Sequence, residues 1–324
     1  MTGNWLFVAA ATLMCTLGPA NAQDAYPSKT VTIVVPSSPG GTTDITGRML
    51  AEGLSKRFNQ TFIVENKGGA SGNIGITEVA RAKPDGYKLL VTYSGYQVTN
   101  PALFTNLAWD PIKSFDPVAL AVTAPHVILV NGKLPVTTLS DFIAYAREKN
   151  GAVTYASSGP GSLQQIGAEQ LARLTGTKMI HVPYKGAGPA LTDLIAGSVD
   201  LFITTPPSAV GHIQSGAAKG LALAAKERHP LLPSVPTTTE AGVPGLDLTA
   251  WFALYAPAGT PEPITEKLSL AIKDLVSSPE FQEQAIKQGA YAKYMSPAEL
   301  KAFTQSELAV WSDIIKQTGI TVQQ

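Results

Sequence analysis

The sequence predicts an α/β protein whose sheets are mainly parallel, and three observations carry that prediction. Short β-branched runs are each followed by a Gly- or Ser-rich corner and then by a segment of helical spacing. This strand–corner–helix unit recurs along the chain, as a βαβ succession does. At 324 residues, the chain has the length that commonly divides into two lobes.

The first 22 residues carry no charged side chain, run Trp5-Leu6-Phe7-Val8-Ala9-Ala10-Ala11 through Leu17, and end Ala20-Asn21-Ala22. An apolar core too short to span a membrane, closed by an A-x-A pattern, reads as a secretory signal cut before Gln23. Its n-region has only the amino terminus for positive charge. Cys15 follows Thr12-Leu13-Met14 and lacks the small neighbours of a lipid-anchor site. It is the only cysteine, so the mature chain has no disulfide, thiol nucleophile or Cys-bound zinc. Lys and Arg number 24 and Asp and Glu 24, which gives no pull toward nucleic acid or an anionic membrane. No later stretch is long and apolar enough to span a bilayer, so an exported, soluble protein is expected.

The first unit, Val31 to Phe58, organises the rest. Val31, Ile33, Val34 and Val35 form a strand that stops at Pro36 and turns through Ser37-Ser38-Pro39-Gly40-Gly41. The helix that follows keeps Ile45, Met49, Leu50, Leu54 and Phe58 on one face, with Thr42, Thr43 and Asp44 at N-cap positions. A strand feeding a glycine turn and a helix start leaves backbone N–H groups unpaired at the positive end of the helix dipole, and so offers a seat for an anion. Such a corner is also the ordinary way an α/β fold turns back.

Next come a strand at Thr61–Val64, a glycine-dense turn Glu65–Asn73, a short helix about Ile74–Ala82, and the turn Pro84-Asp85-Gly86. Tyr87–Tyr93 is the third strand and ends in a polar corner, Ser94-Gly95-Tyr96-Gln97. The apolar run Val118–Val130, broken by Pro125, carries the chain to the second lobe. A helix over Leu139–Asn150 has Thr138 as its cap and Gly151 beyond its end. The opening theme then returns twice. Val153–Ala156, the corner Ser157–Ser162 and helix Leu163–Leu174 form one unit; Lys178–Pro183, the corner Tyr184–Gly188 and helix Pro189–Ala196 form the next.

Val199–Thr205 and Leu221–Ala225 are further strands, separated by Pro206-Pro207-Ser208 and a short helix, and the Pro-rich segment Pro230–Pro244 is a return crossing. Trp251–Tyr255 is a last buried strand. Helices at Ile264–Val276, Glu280–Gln288 and Ala298–Thr318 pack on the first lobe.

The four histidines, His126, His181, His212 and His229, have no metal-ligand spacing, and no G-x-S-x-G, P-loop or complete G-x-G-x-x-G is present. Asp44 and Asp193 sit where helix capping accounts for an acid. Lys185 is either a ligand cation or a solvated charge, and Tyr93, Tyr184 and Trp251, beside strand ends, are either packing or ligand contacts. Repeated anion-compatible corners without a catalytic set favour binding over turnover.

Seven strings, VPSSPGGTTDITGR, VENKGGASGNIG, KPDGY, YASSGPGS, HVPYKGAGPALTDLIAGSVD, VPTTTEAGVPG and WFALYAPAGTP, resemble, in order and across essentially the whole mature chain, the exported Bug-type receptors of tripartite tricarboxylate transporters. The resemblance implies a two-lobed periplasmic-binding-protein fold, type II-like, that closes on a carboxylated small molecule and delivers it to a small and a large membrane subunit. A periplasmic monomer that is not an enzyme is expected, with no cofactor, no metal and no nucleic-acid partner. The family's carboxylate loop falls on Ser37, Ser38, Gly40, Gly41, Thr42, Thr43 and Asp44, and the facing loops on Ser157, Ser158, Gly159 and Ser162 and on Tyr184, Lys185, Gly186 and Ala187. Tyr93 and Ser94 complete the expected cleft with two departures: Gln165 stands where many relatives carry His, and Thr204 where the strand often ends in an acid. Lobe 1 is expected over residues 23–123 and 234–324 and lobe 2 over 124–233, with hinges at Val122–Pro125 and Pro233–Pro236. The ligand is a di- or tricarboxylate or an aromatic acid; the rival reading is an exported hydrolase or isomerase using Asp44 or Lys185.

Overall fold

A computed structural model of the chain describes residues 26–318 and 320–321; the export signal, its cleavage point and Cys15 lie outside these described residues. The β-branched opening run forms β1 (Val31–Val35), followed by α1 (Thr42–Phe58), β2 (Phe62–Asn66), α2 (Asn73–Ala80) and β3 (Lys88–Tyr93). β1 lies between β2 and β3 and parallel to both, with Ile33 paired to Val64 on one side and Leu89 on the other. α1 covers this sheet with Met49, Leu50 and Leu54 buried, while Ile45 and Phe58 are half-buried at its margins.

Two local expectations are corrected here. The N-cap of α1 is Gly41, and Thr42, Thr43 and Asp44 form the first turn instead. The Asp44 carboxylate accepts from the Gly40 N–H at 3.0 Å, so an acid inside the helix satisfies a donor ahead of it and the cap position needs no side chain. The corner after β3 winds as a π-helical turn, Gly95–Thr99, into α3 (Asn100–Leu103). Thr99 Oγ1 donates to Gly161 O at 2.7 Å and Asn100 Nδ2 to Ser71 O at 2.8 Å, so partners distant in sequence hold the turn.

The apolar run forms one strand, β4 (Phe115–Asn131), which Pro125 does not break. Then come α4 (Leu139–Glu148), β5 (Thr154–Ser157), α5 (Leu163–Thr175), β6 (Ile180–Pro183), α6 (Ala187–Ala196), β7 (Leu201–Thr204), α7 (Pro206–Gln214) and β8 (Ala218–Ala224). Thr138 caps α4 in a capping box with Asp141. α6 starts two residues ahead of its expected position, because Pro189 fits the first turn, where its missing N–H costs nothing. The chain ends with β9 (Thr249–Pro257), α8 (Glu262–Ser277), α9 (Pro279–Lys287), β10 (Tyr291–Met295) and α10 (Pro297–Thr318).

The strands run in the order β2-β1-β3-β9-β4-β7-β5-β6, with β8 and β10 also on β4. The parallel pairs are those of the βαβ units, β1 with β2 and β3, and β5 with β6 and β7. The crossing strands pair antiparallel, so the sheet is mixed at its centre. Up to Pro125, β4 pairs with β9; from His126 onward it pairs with β8 and β7. Pro125 has no N–H to donate and sits at this change of partners, a position a proline can occupy without loss. Buried on both faces, β4 reads as a continuous apolar run.

The return crossing does not lie at Pro233–Pro236. Pro236 O accepts from Leu223 N–H and Thr238 N–H donates to Leu223 O, both at 2.8 Å, so the Pro-rich segment lies along β8, proline carbonyls being good acceptors still. The crossing comes at Leu248, whose N–H donates to Ala224 O at 2.9 Å and whose carbonyl accepts from His126 N–H at 2.8 Å, just before β9. α8 packs on β4 and β10, and α10 on β4.

Candidate functional site

The two halves of the sheet meet across a cavity at the helix starts. Ile45 N–H is the first amide of α1 to bond within it, to Gly41 O at 3.0 Å. The amides of Thr42, Thr43 and Asp44 precede it and have no hydrogen-bond partner among the described residues. The first turns of α1, α5 and α6 all reach the cavity wall, through Thr42 and Thr43, through Gln164, and through Ala187; Thr205, the N-cap of α7, joins them. Helix N-termini carry partial positive charge, and the wall, completed by Ser37, Gly41, Tyr93, Tyr96, His126, Ser158, Thr204, Ala250 and Phe252, holds no Asp, Glu, Lys or Arg. It is a neutral lining with a positive field, suited to an anion.

Hydroxyls do most of the polar work. Thr42 Oγ1 and Thr205 Oγ1 share a hydrogen bond at 2.7 Å across the cavity. Tyr93 Oη donates to Gln164 Oε1 at 3.2 Å, Ser158 Oγ donates to the same oxygen at 3.0 Å, and Tyr96 Oη donates to Ser158 O at 3.2 Å. The two tyrosine rings meet edge to face at 4.5 Å, and burial pushes the Tyr93 hydroxyl well above its ordinary value and that of Tyr96 up to about 12. Two buried polar atoms of wall residues have no partner, Ser37 Oγ and His126 Nε2. Burial pulls the His126 imidazole down to about 4, so the ring is neutral at pH 7.

Across the mouth the halves touch. Ser38 donates to Lys185 O through its N–H at 3.2 Å and its hydroxyl at 3.0 Å. Gly188 lies so close to Pro39 that a Cβ there would fall 2.0 Å from Pro39 O. The cavity has about 350 Å³ of empty space. The contacts of Ser38 with Lys185 and of Pro39 with Gly188 close its mouth.

Of the residues expected in the site, Ser37, Gly41, Thr42, Thr43, Tyr93, Ser158, Ala187 and Thr204 line the cavity. Ser38 and Gly40 face an outer groove with Gly188. The Asp44 side chain is turned away: burial alone would raise its carboxyl, but hydrogen bonds from Arg48, the Gly40 N–H and Asn66 hold it below the usual value. Ser94 Oγ is spent on Trp251 N–H, Ser162 Oγ on the cap of α5, and Gln165 Oε1 on Gly161 N–H at 2.7 Å. Ser157 Oγ binds His181 Nε2 at 2.6 Å beside Gly159, behind the wall; no acid hydrogen-bonds His181 Nδ1 among the described residues. Tyr184 Oη donates to Asp193 at 2.6 Å. Lys185 is exposed outside the wall and Gly186 caps α6, so neither places a side chain in the cavity.

Six wall residues escape the sequence reading: Tyr96, His126, Gln164, Thr205, Ala250 and Phe252. Gln164 adjoins the expected Gln165, an error of one residue in phase, and Thr205 joins the expected Thr204 in the wall. Trp251 faces away, its indole N–H donating to Glu307 at 3.3 Å, and strand alternation turns its neighbours Ala250 and Phe252 to the cavity. His126 has no local signature.

Fold and cavity together fit one class, the two-lobed solute-binding proteins. Residues 46–320 match the family described as "Tripartite tricarboxylate transporter family receptor", and the chain belongs to that family. Among solved structures, it is similar to the periplasmic binding protein BugD (34% identity, 92% of this chain and 100% of that one, TM-score 0.88). Two from Rhodopseudomonas palustris are similar as well. Rpa4515 with adipate is 34% identical over 91% of this chain and 99% of its own, with a TM-score of 0.89. MatC with bound malate is 36% identical over 90% and 100%, with a TM-score of 0.84.

Proposed function

We propose that the chain is an exported, periplasmic receptor that captures a small organic acid between its lobes and delivers it to the membrane subunits of a tripartite tricarboxylate-type transporter, without transforming it. The observation that carries this reading is the convergence of three helix N-termini, with free amides at Thr42 to Asp44 and the unpaired Ser37 hydroxyl, on a wall with no acidic side chain. One ligand carboxylate sits on those amides. The similarity to receptors holding adipate and malate supports the carboxylate class.

The first lobe is built on β1 to β3 and β9 and takes in the C-terminal helices; the second is built on β5 to β8. The hinges are the two crossings, at Pro125–His126 of β4 and at Leu248–Thr249. An enzyme on this scaffold would need Asp44 or Lys185, and the engagement of one and the outward position of the other support binding over turnover. A thermal-shift screen of mono-, di- and tricarboxylates tests the reading. A true ligand stabilises as RT ln(1 + [L]/Kd), about 2.7 kcal/mol at a hundredfold excess over Kd, and is recovered unchanged. Product formation, or no stabilisation by any acid, would overturn it. The intact mass of protein isolated from the periplasm should begin at Gln23.

A further inference from the structure

The family and the helix N-termini account for a carboxylate. They leave one wall atom without a use. His126 is fully buried, on β4 where that strand passes from one half of the sheet to the other, and it lines the cavity. Its Nδ1 lies 2.9 Å from Leu248 O, and a carbonyl can only accept, so Nδ1 carries the proton and Nε2 presents a lone pair. No described residue donates to that lone pair. Leu248 O also accepts from the His126 N–H at 2.8 Å, so the backbone and the ring are fixed by one carbonyl and the ring cannot swing to find another partner.

A buried acceptor without a donor costs free energy that a ligand can return only by donating. A carboxylate has nothing to donate. For one to bind at Nε2 the buried ring would have to take up a second proton, with the ligand's own carboxylate as its only counter-charge, since besides His126 the titratable groups of the wall are Tyr93 and Tyr96, both neutral. A hydroxyl on the ligand satisfies Nε2 with the ring as it stands.

We infer that His126 determines specificity in this site: its Nε2 accepts a hydrogen bond from a ligand hydroxyl, so the receptor takes a hydroxy acid in preference to the same acid without the hydroxyl. The inference rests on the carboxylate-receptor reading above. It assigns the carboxylate to the amides at α1 and the hydroxyl to the strand at the lobe junction, so two parts of the ligand are read by two different elements of the wall.

The test is calorimetric titration, at pH 7.5, of two matched pairs: malate against succinate, and citrate against tricarballylate. Whichever pair binds should favour its hydroxy member tenfold or more, about 1.4 kcal/mol. In His126→Leu, checked for folding by circular dichroism, the hydroxy acid should lose that factor while the deoxy acid stays within twofold of wild type. A second measurement does not depend on the variant: the bound hydroxy acid titrated into wild type in two buffers of different ionisation heat should show no net proton uptake. Uptake near one proton means that the ring protonates onto a carboxylate, and overturns the inference. A deoxy acid that binds as tightly as its hydroxy partner overturns it too and leaves the receptor reading standing; failure of all four acids, and of the wider carboxylate screen, removes both.

Discussion

Gly188 is where closure can be blocked without harm to either lobe. It lies in the first turn of α6, and a Cβ built on it falls 2.0 Å from Pro39 O and 3.2 Å from Pro39 C, both backbone atoms of the opposite loop. Carbon–oxygen contacts settle at about 3.3 Å, so Gly188→Ala must push the loops apart by roughly 1 Å. That displacement breaks the two bonds from Ser38 to Lys185 O, at 3.2 and 3.0 Å. At about 0.5–1.5 kcal/mol net for each bond, the closed form loses about 1–3 kcal/mol, and ligand affinity should fall about 5- to 150-fold. The variant itself should not be less stable, because alanine in a helix is favoured over glycine by about 0.5–1 kcal/mol. Calorimetry with the acid identified by thermal shift reads the affinity, and small-angle scattering with saturating ligand should show a larger radius of gyration than wild type. Gly211→Ala in α7 is the control, since nothing lies within 4 Å of a Cβ there. Wild-type affinity and wild-type scattering from folded Gly188→Ala would refute the argument that this contact belongs to the binding-competent state.

Thr42→Val keeps the shape of the seat and removes the hydroxyl that bonds Thr205 across the cavity, so affinity should drop about tenfold by calorimetry while circular dichroism is unchanged. Lys185→Ala should bind within about threefold of wild type, because the part of Lys185 at the closure contact is its carbonyl; a hundredfold loss would return the ammonium to the site. Stability should decline as pH falls from about 6.5 to about 4, measured by urea unfolding. The His126 imidazole is held down to about 4 by burial, so below its unfolded value of about 6.5 the unfolded chain takes up the proton first, and about 3 kcal/mol is lost by pH 4 from this ring. His181 and His229, both lowered by burial, act in the same direction, and a flat stability profile over this window would count against a neutral, buried His126.

The elements that the sequence displays most clearly are those whose causes are local. A β-branched run into a glycine corner and a 3.6-residue stripe needs no distant partner to be recognised, and β1 with α1, β5 with α5 and β6 with α6 form close to their expected places. β10 was invisible because Tyr291-Ala292-Lys293-Tyr294-Met295 has no β-branched residue and becomes a strand by pairing with Val122 and Thr123 of β4. The site divides in the same way. Ser37, Gly41, Thr42 and Thr43 follow from the corner itself. Gln164, not Gln165, faces the cavity because helix phase is set by tertiary packing, and His126 joins it only because Leu248, far along the chain, returns to hold its ring.

That return ties recognition to closure. β4 is continuous through both halves of the sheet, and the second crossing segment is hydrogen-bonded to it at the point where its partners change. In the proposed opening the contacts of Ser38 with Lys185 O are the ones that must part. His126 stands where β4 changes partners and is pinned to Leu248, so in the proposed hinge it stays with the two crossing segments. An open receptor thus keeps its acceptor in place while the amides of α1 and the first turn of α6 stand apart. On the proposed reading, a ligand that donates to His126 is held at the hinge, and closure then brings the helix N-termini onto its carboxylate. Affinity is the sum of a contact made in the open form and contacts made only in the closed one. Gly188→Ala removes the second set and spares the first, so residual binding in that variant should keep the preference of His126 for a hydroxyl, although its overall strength is reduced.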